Sequence, residues 1–211
     1  ESHLQALVSS IIEKKWRVIV STYQPLASSN LAPFVERRNG FKIYRFPWIS
    51  FNIFHWLAPY PALEFIFLFP GLFFITLLVL IRHPFIDVIH CQGLVPSAVG
   101  VFMRLIFRKR VIASTHNLYF FPRKGLYPFF ARLFFSLSDK ILTPTYFARE
   151  ELLKVGVPPE MISVFHYWID LINFRPLNKE KAKRILGWDK NSVLFVGRLI
   201  ETKGVNIVLS L

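Results

Sequence analysis

The segment SVLFVGRLIETKGVNIVLSL, residues 192–211, carries the pattern from which the fold is predicted. Its first five residues form an apolar, β-branched run that is typical of a buried strand, and Gly197 ends that run. Apolar residues recur at helical spacing after Gly204, so the segment reads as strand, glycine turn and helix. Arg198 and Lys203 lie in the turn, where a helix N-terminus and two cations suit an anion such as a diphosphate. An ordinary βα unit with solvated cations has the same spacing, and the pattern alone does not separate the two.

The chain before this segment alternates between strands and helices. Strands are predicted at residues 17–21, 40–46, 86–90, 110–115, 140–143 and 161–166, and helices at residues 4–12, 95–107, 128–137, 146–154 and 179–186. Residues 25–39 are predicted to form a loop, and residues 176–178 a linker. The alternation predicts an α/β fold, in which a Rossmann-like parallel sheet is covered by helices on both faces.

Four motifs resemble one enzyme family. The pattern V-G-R-L-x-x-x-K-G after an apolar strand is similar to the start of the C-terminal domain of the retaining glycosyltransferases of family 4, which have the GT-B fold. DVIH at residues 87–90 and RVIASTH at residues 110–116 are similar to the family's two cleft strands. Glu1-Ser2-His3 resembles the end of the family pattern G-G-x-E-x-H.

The resemblance implies a domain organisation. Residues 1–175 would be the N-terminal, acceptor-side Rossmann-like domain, incomplete at its start. Residues 176–191 would be a linker and a basic helix, and residues 192–211 the first βα unit of a truncated C-terminal donor-binding domain. The chain is therefore expected to be a fragment that lacks the first strand, the glycine-rich loop and most of the donor domain.

The resemblance also implies roles for single residues. His116 would be the catalytic residue near the anomeric carbon, and Arg198 and Lys203 would hold the donor diphosphate. Three residues, Gln92, Gly93 and Asn117, would lie on the acceptor side of the cleft, with Gln92 standing where the family usually has a second His. By itself, a His after a strand is more often a buried residue that bonds the backbone, and it is the resemblance that favours a site at His116.

The function implied is transfer of a sugar from a nucleotide-sugar donor to a lipid-linked or glycan acceptor, with retention of configuration. No metal and no cofactor besides the nucleotide-sugar co-substrate is expected, and the fragment itself is expected to be inactive. The alternative is a non-catalytic, membrane-associated binding protein of the same fold. A nucleic-acid-binding module is a third hypothesis, which salt-sensitive oligonucleotide binding would favour.

The composition is apolar and basic. The 211 residues are 53% hydrophobic, include 23 Phe and carry a formal net charge of +13, which favours anionic partners such as nucleic acid, acidic lipid or a phosphorylated substrate. Residues 104–154 hold ten Lys and Arg against three acids, with aromatic residues interleaved. That combination suits nucleic acid or an anionic membrane, and a solvated basic face over a large core is the simplest alternative. The apolar segment at residues 65–81 favours the membrane, so we expect a peripheral protein at the cytoplasmic membrane face and no nucleic-acid partner.

The segment FIFLFPGLFFITLLVLI, residues 65–81, has no charged residue and is interrupted by Pro70-Gly71. Its length is at the lower limit for a membrane-spanning helix. Strands 40–46 and 86–90 are predicted to belong to one sheet, which a single crossing would place on opposite sides of the bilayer. The segment is therefore predicted to be packed in the domain or to lie in the membrane interface.

Overall fold

The computed structural model describes residues 2–26, 31–49, 56–57, 60–116, 119, 121–122, 125–166, 174–188, 195–197, 199 and 204–210. The chain divides into two compact units, Glu1–Tyr167 and Trp168–Leu211. All described strands belong to the larger unit.

The larger unit confirms the predicted α/β class. Its strands are β1 (Ile19–Tyr23), β2 (Val35–Arg38), β3 (Phe41–Phe46), β4 (Val88–Gln92), β5 (Arg110–Ser114), β6 (Lys140–Thr143) and β7 (Ile162–Val164). Its helices are α1 (Ser2–Glu13), α2 (Pro61–Arg82), α3 (Leu94–Phe107), α4 (Leu126–Ser136) and α5 (Tyr146–Lys154), with a 3-10 turn at Pro159–Met161. The smaller unit contains α6 (Lys179–Leu186) and α7 (Val205–Leu209).

Strands β4 to β7 form a parallel sheet in the order β4-β5-β6-β7. Helices α3, α4 and α5 connect them in turn, as parallel pairing requires. The sheet face towards the helices is apolar, and Val111, Ala113 and Ile141 are completely buried there. Ala113 and Ile141 share one core with Ala98 of α3 and Phe135 of α4.

Strands β1, β3 and β2 form a second, mixed sheet. Strand β3 runs parallel to β1 and antiparallel to β2, so the prediction of a loop throughout residues 25–39 is wrong at Val35–Arg38. The two strands of this hairpin are joined by Asn39 and Gly40 alone, with φ of 34° and 89°. Asn-Gly is the strongest short-range sequence signal for a two-residue hairpin, because that turn needs positive φ at both positions. The pair is present in this sequence at residues 39–40.

The prediction that residues 40–46 and 86–90 share one sheet is also wrong. Within the described residues, β1 pairs only with β3 and β4 pairs only with β5, so the hydrogen-bonded ladder stops at these two strands. Helix α2 joins the two sheets instead, because it packs on β1 and β3 along one side and on α3 along another.

Helix α2 has 22 residues and is long and apolar enough, by length and composition, to cross a membrane. Its buried residues include Ile75 and Val79, which pack with Tyr44 of β3, and Leu80, which packs with Val99 and Met103 of α3. Polar contacts also fix it to the first sheet, since Thr76 Oγ1 lies 3.2 Å from Ser21 Oγ of β1. These contacts agree with the prediction that the segment is packed in the domain.

The smaller unit confirms the helix predicted at residues 179–186. The side chain of Asn178 accepts hydrogen bonds from the backbone N–H groups of Glu180 and Lys181, at 3.0 and 3.1 Å, and so caps the start of α6. The helix ends at Gly187, whose φ of 67° is left-handed. Most of the predicted strand 192–196 lies outside the described residues, as do Arg198 and Lys203.

Candidate functional site

The candidate site lies at the edge of the parallel sheet where its strands end. Parallel strands carry their carboxyl ends at one edge, which is where ligands bind in open α/β sheets. Strand β4 ends at Gln92 and β5 at Ser114, and the register pairs these two residues directly. Gly93 follows the first strand and His116 follows the second by two residues, so both predicted positions belong to this edge.

Gly93 makes the turn from β4 into α3. Its φ of 103° is a left-handed conformation that favours glycine, and its N–H donates to Ser114 O at 2.8 Å. The hydroxyl of Tyr119 accepts a hydrogen bond from Leu94 N–H at 3.1 Å, at the start of the helix. A Cβ at Gly93 would lie 3.4 Å from that hydroxyl, so the turn is closely packed. One of the backbone N–H groups at the N-terminus of α3 therefore already has a hydrogen-bond partner in this protein.

Gln92 belongs to a side-chain cluster on the sheet. Its amide nitrogen lies 3.2 Å from His90 Nε2, which in turn lies 2.6 Å from the Oγ of Ser114. Ser114 is buried, and the two longer side chains are half-buried. The cluster ties the ends of β4 and β5 together, and it fixes the orientation of the Gln92 amide towards His90.

His116 is half-buried at the end of β5. The backbone around it continues the sheet, because Thr115 N–H donates to Leu142 O at 2.9 Å and Phe165 N–H donates to Thr143 O at 2.8 Å. The ring of His116 lies edge-on to that of Phe165, with 6.3 Å between centroids. A histidine held in this way by the ends of β5, β6 and β7 has a defined position at the carboxyl edge of the sheet.

Three residues that the sequence did not single out belong to the same region. Glu64 lies in the first turn of α2, and partial burial raises the pKa of its carboxyl. Burial and, as a smaller cause, the nearby Glu64 carboxylate together raise the pKa of Tyr127 to about 12. The pKa of Tyr119 is raised for the same reasons, chiefly burial. The Glu64 carboxyl lies near the two tyrosines, although more than fifty residues of the chain separate it from either of them. No sequence pattern indicated this proximity.

The structure thus brings Gln92, Gly93 and His116 to one edge of the parallel sheet. Asn117, the third predicted acceptor-side residue, lies outside the described residues. The two predicted diphosphate-binding cations, Arg198 and Lys203, lie outside them as well, so their roles remain predictions.

Comparison with solved structures shows the fold. Sucrose-phosphate synthase from Thermosynechococcus elongatus is 16% identical, with a TM-score of 0.72 over 99% of this chain and 52% of that chain. HepE from Anabaena, solved in complex with UDP, is 15% identical, with a TM-score of 0.47 over 69% of this chain and 36% of that chain. The chain therefore spans about half the length of the synthase and about a third of HepE. The likeness to the synthase confirms the predicted α/β fold.

No curated protein matches the chain. The family model described as Glycosyltransferase Family 4 matches residues 1–172, which is most of the 211-residue sequence. The match covers both sheets and the whole candidate edge, including Gln92, Gly93 and His116. The chain belongs to glycosyltransferase family 4.

Proposed function

We propose that the protein containing this chain is a glycosyltransferase that uses a nucleotide-sugar donor. The observation that carries the proposal is the family match over residues 1–172, together with a histidine positioned at the carboxyl edge of the parallel sheet.

His116 is the residue to which we assign the central role. A half-buried imidazole can donate a hydrogen bond to a sugar hydroxyl or to charge that develops near the anomeric carbon. Its fixed position matters more than its basicity, because a preorganised donor needs no reorientation during the reaction. Gln92, Gly93 and Asn117 are proposed to contact the acceptor, and Arg198 and Lys203 the donor diphosphate. No metal or further cofactor is assigned.

We further propose retention of configuration, a lipid-linked or glycan acceptor, and a peripheral location at the cytoplasmic face of the membrane. Retention rests on the resemblance of the V-G-R-L-x-x-x-K-G and RVIASTH motifs to the retaining family. The acceptor class and the location rest on the net charge of +13, on the basic excess in residues 104–154 and on the apolar segment at residues 65–81.

The test is the His116→Ala variant of the enzyme that contains this chain. Release of nucleoside diphosphate from a panel of nucleotide sugars should fall by about 10²-fold or more, the scale for losing one positioned polar group. His83→Ala is the matched control, because His83 lies between α2 and the start of β4, away from the carboxyl edge of the parallel sheet, and its Nε2 lies 2.9 Å from Tyr44 Oη. Circular dichroism should show both variants folded. Near-normal turnover of His116→Ala would contradict the assignment.

A further inference from the structure

Helices α2, α3 and α4 present apolar side chains to solvent on one continuous surface. We name this surface the phenylalanine face and define it by seven residues: Phe74, Phe102, Leu105, Ile106, Phe129, Phe130 and Leu133. Their exposed fractions range from 37% for Leu133 to 72% for Leu105. On α3 and α4 these residues recur at helical spacing, so each helix contributes one stripe.

Ring contacts join the three stripes. The ring of Phe102 on α3 lies 6.3 Å from that of Phe73 on α2 and 6.3 Å from that of Phe134 on α4. The outer rings continue from these contacts, with Phe74 against Phe73 at 5.7 Å and Phe130 against Phe134 at 6.0 Å. The exposed rings of neighbouring helices are thus connected through Phe73 and Phe134. A contiguous apolar surface of this kind marks an interaction site, unlike scattered single residues.

A basic hollow adjoins the phenylalanine face at the C-terminal end of α3. The hollow has a volume of about 410 Å³ and is lined by Arg104, Leu105, Arg108, Lys109, Arg110 and Asp139. Leu105 belongs to both the face and the hollow. Four cations therefore surround one carboxylate directly beside an exposed apolar stripe.

The single carboxylate does not neutralise the hollow. Asp139 Oδ2 accepts hydrogen bonds from Arg104, at 2.8 Å, and from the Val111 N–H, at 2.7 Å, and so it fixes that one arginine. Lys109 donates to a backbone carbonyl, that of Pro84. Arg108 and Arg110 are exposed, and they form no ion pair with any residue that the structure describes. At least two guanidinium groups remain available to an anion.

We propose that the phenylalanine face and the basic hollow together dock the protein on an anionic lipid bilayer. The exposed rings and aliphatic side chains would enter the interface, and the hollow would receive a headgroup phosphate, for which arginine offers a planar fork. Two copies of this surface would bring their cations together, which opposes self-association. A nucleic acid would satisfy the cations but not Leu105, Ile106 and Leu133, which offer no ring for a base to stack on.

This docking places the candidate site at one border of the bilayer contact. Helices α3 and α4 begin at the carboxyl edge of the sheet, after Gly93 and Gly125, and end at the opposite edge near the hollow. On α3 the residues of the face lie in the last two turns, next to the hollow, and on α4 they begin at Phe129, about one turn from the edge that carries His116. The inference rests on the membrane location proposed above and not on the chemistry of transfer.

Vesicle flotation tests the electrostatic part. The parent protein should bind vesicles of phosphatidylcholine with about 30% phosphatidylglycerol, and binding should weaken as salt is raised. Arg108→Gln, Lys109→Gln and Arg110→Gln combined should weaken binding roughly 100-fold, about fivefold for each cation removed. The matched control removes three exposed cations elsewhere in the same unit: Lys14→Gln, Lys15→Gln and Arg37→Gln. Equal losses in the two triple variants would overturn the docking surface, because net charge alone would then explain binding.

A fluorophore tests the apolar part. Cys91 is buried and its burial raises the pKa of the thiol to about 12, so an environment-sensitive thiol probe should react selectively at Leu105→Cys. Emission should shift to the blue when anionic vesicles are added, and the same probe at Lys14→Cys should not shift. No shift at position 105 would overturn the proposal, as would a concentration-dependent shift without lipid, which would make the face a contact between copies.

The docking surface and the proposed glycosyltransferase function can be tested independently of each other. A docking-deficient triple variant should keep nucleoside diphosphate release with a detergent-solubilised acceptor, because none of its residues belongs to the candidate site. If the triple variant lost both vesicle binding and nucleoside diphosphate release, the claim that docking and catalysis use separate residues would be overturned. A parent protein that binds vesicles but transfers no sugar would overturn the proposed function and leave the docking surface standing.

Discussion

The hydroxyl of Tyr23 is inserted into the backbone hydrogen bonding of helix α2. In a regular helix Leu72 N–H would bond to Leu68 O, but here that N–H donates to Tyr23 Oη at 3.0 Å, and the hydroxyl donates to Leu68 O. Inserted side chains and proline are both known causes of an interrupted ladder, and Pro70 lies between these two residues. The Tyr23 hydroxyl of β1 therefore bridges two backbone groups of α2 in the turn that contains Pro70.

Tyr23→Phe should lower the free energy of unfolding by roughly 1–3 kcal/mol, because it leaves two half-buried backbone groups, Leu72 N–H and Leu68 O, without their partner. Gly71→Ala should also destabilise the protein, since a Cβ there would lie 2.7 Å from Tyr23 Oη and 2.8 Å from Phe46 Cδ1. Urea unfolding measures both. Tyr146→Phe is the control, because this tyrosine is 67% exposed and its variant should unfold like the parent. An unchanged midpoint for Tyr23→Phe would show that the hydroxyl makes no net contribution.

At the scale of the element, helix α2 is the case in which hydropathy and tertiary contacts disagree. Its composition suits a bilayer, yet its contacts with β1, β3 and α3 require that the segments before and after it lie on the same side. We predict that it does not cross. In membrane preparations, an impermeant thiol reagent should label Arg37→Cys, before the helix, and Glu150→Cys, after it, from the same face. Labelling of the two sites from opposite faces would contradict the prediction, and unlabelled Cys91 reports that the domain stayed folded.

The sequence predicted most elements but not how they assemble. Strands β4 to β7 and their helices follow from alternation, because short apolar runs and helical spacing are local signals. The hairpin was missed, because Val35–Arg38 is a polar edge strand of four residues and only Asn39-Gly40 indicates it. The division into two sheets could not be predicted, since which strands share a ladder depends on non-local pairing. The same is true of the candidate site, where His116 followed from a motif but the proximity of Glu64, Tyr119 and Tyr127 did not.

For the whole molecule, the distribution of charge matters more than its total. The net charge of +13 and the basic excess in residues 104–154 indicated an anionic partner, but neither separates a lipid surface from a nucleic acid. The structure gathers Arg104, Arg108, Lys109 and Arg110 beside an exposed apolar stripe, and the proposal of a lipid surface rests on this adjacency. Adjacency of this kind comes from helix packing, which composition does not report.

If Arg198 and Lys203 hold the donor diphosphate, each charge-assisted hydrogen bond contributes roughly 1.5–3 kcal/mol. Arg198→Ala and Lys203→Ala should therefore each weaken donor use by about tenfold to a hundredfold, measured as donor kcat/KM in the enzyme that contains this chain.

Arg198→Lys should restore only part of the loss, because lysine lacks the planar fork. Arg175→Ala, at an exposed position in the same unit, is the control and should leave donor kinetics unchanged. The Arg198 and Lys203 variants should bind vesicles like the parent, whereas the hollow variants should lose vesicle binding and keep donor kinetics. Unchanged donor kinetics in both alanine variants would remove the diphosphate role, and with it the main support for a nucleotide-sugar donor from the segment at residues 192–211.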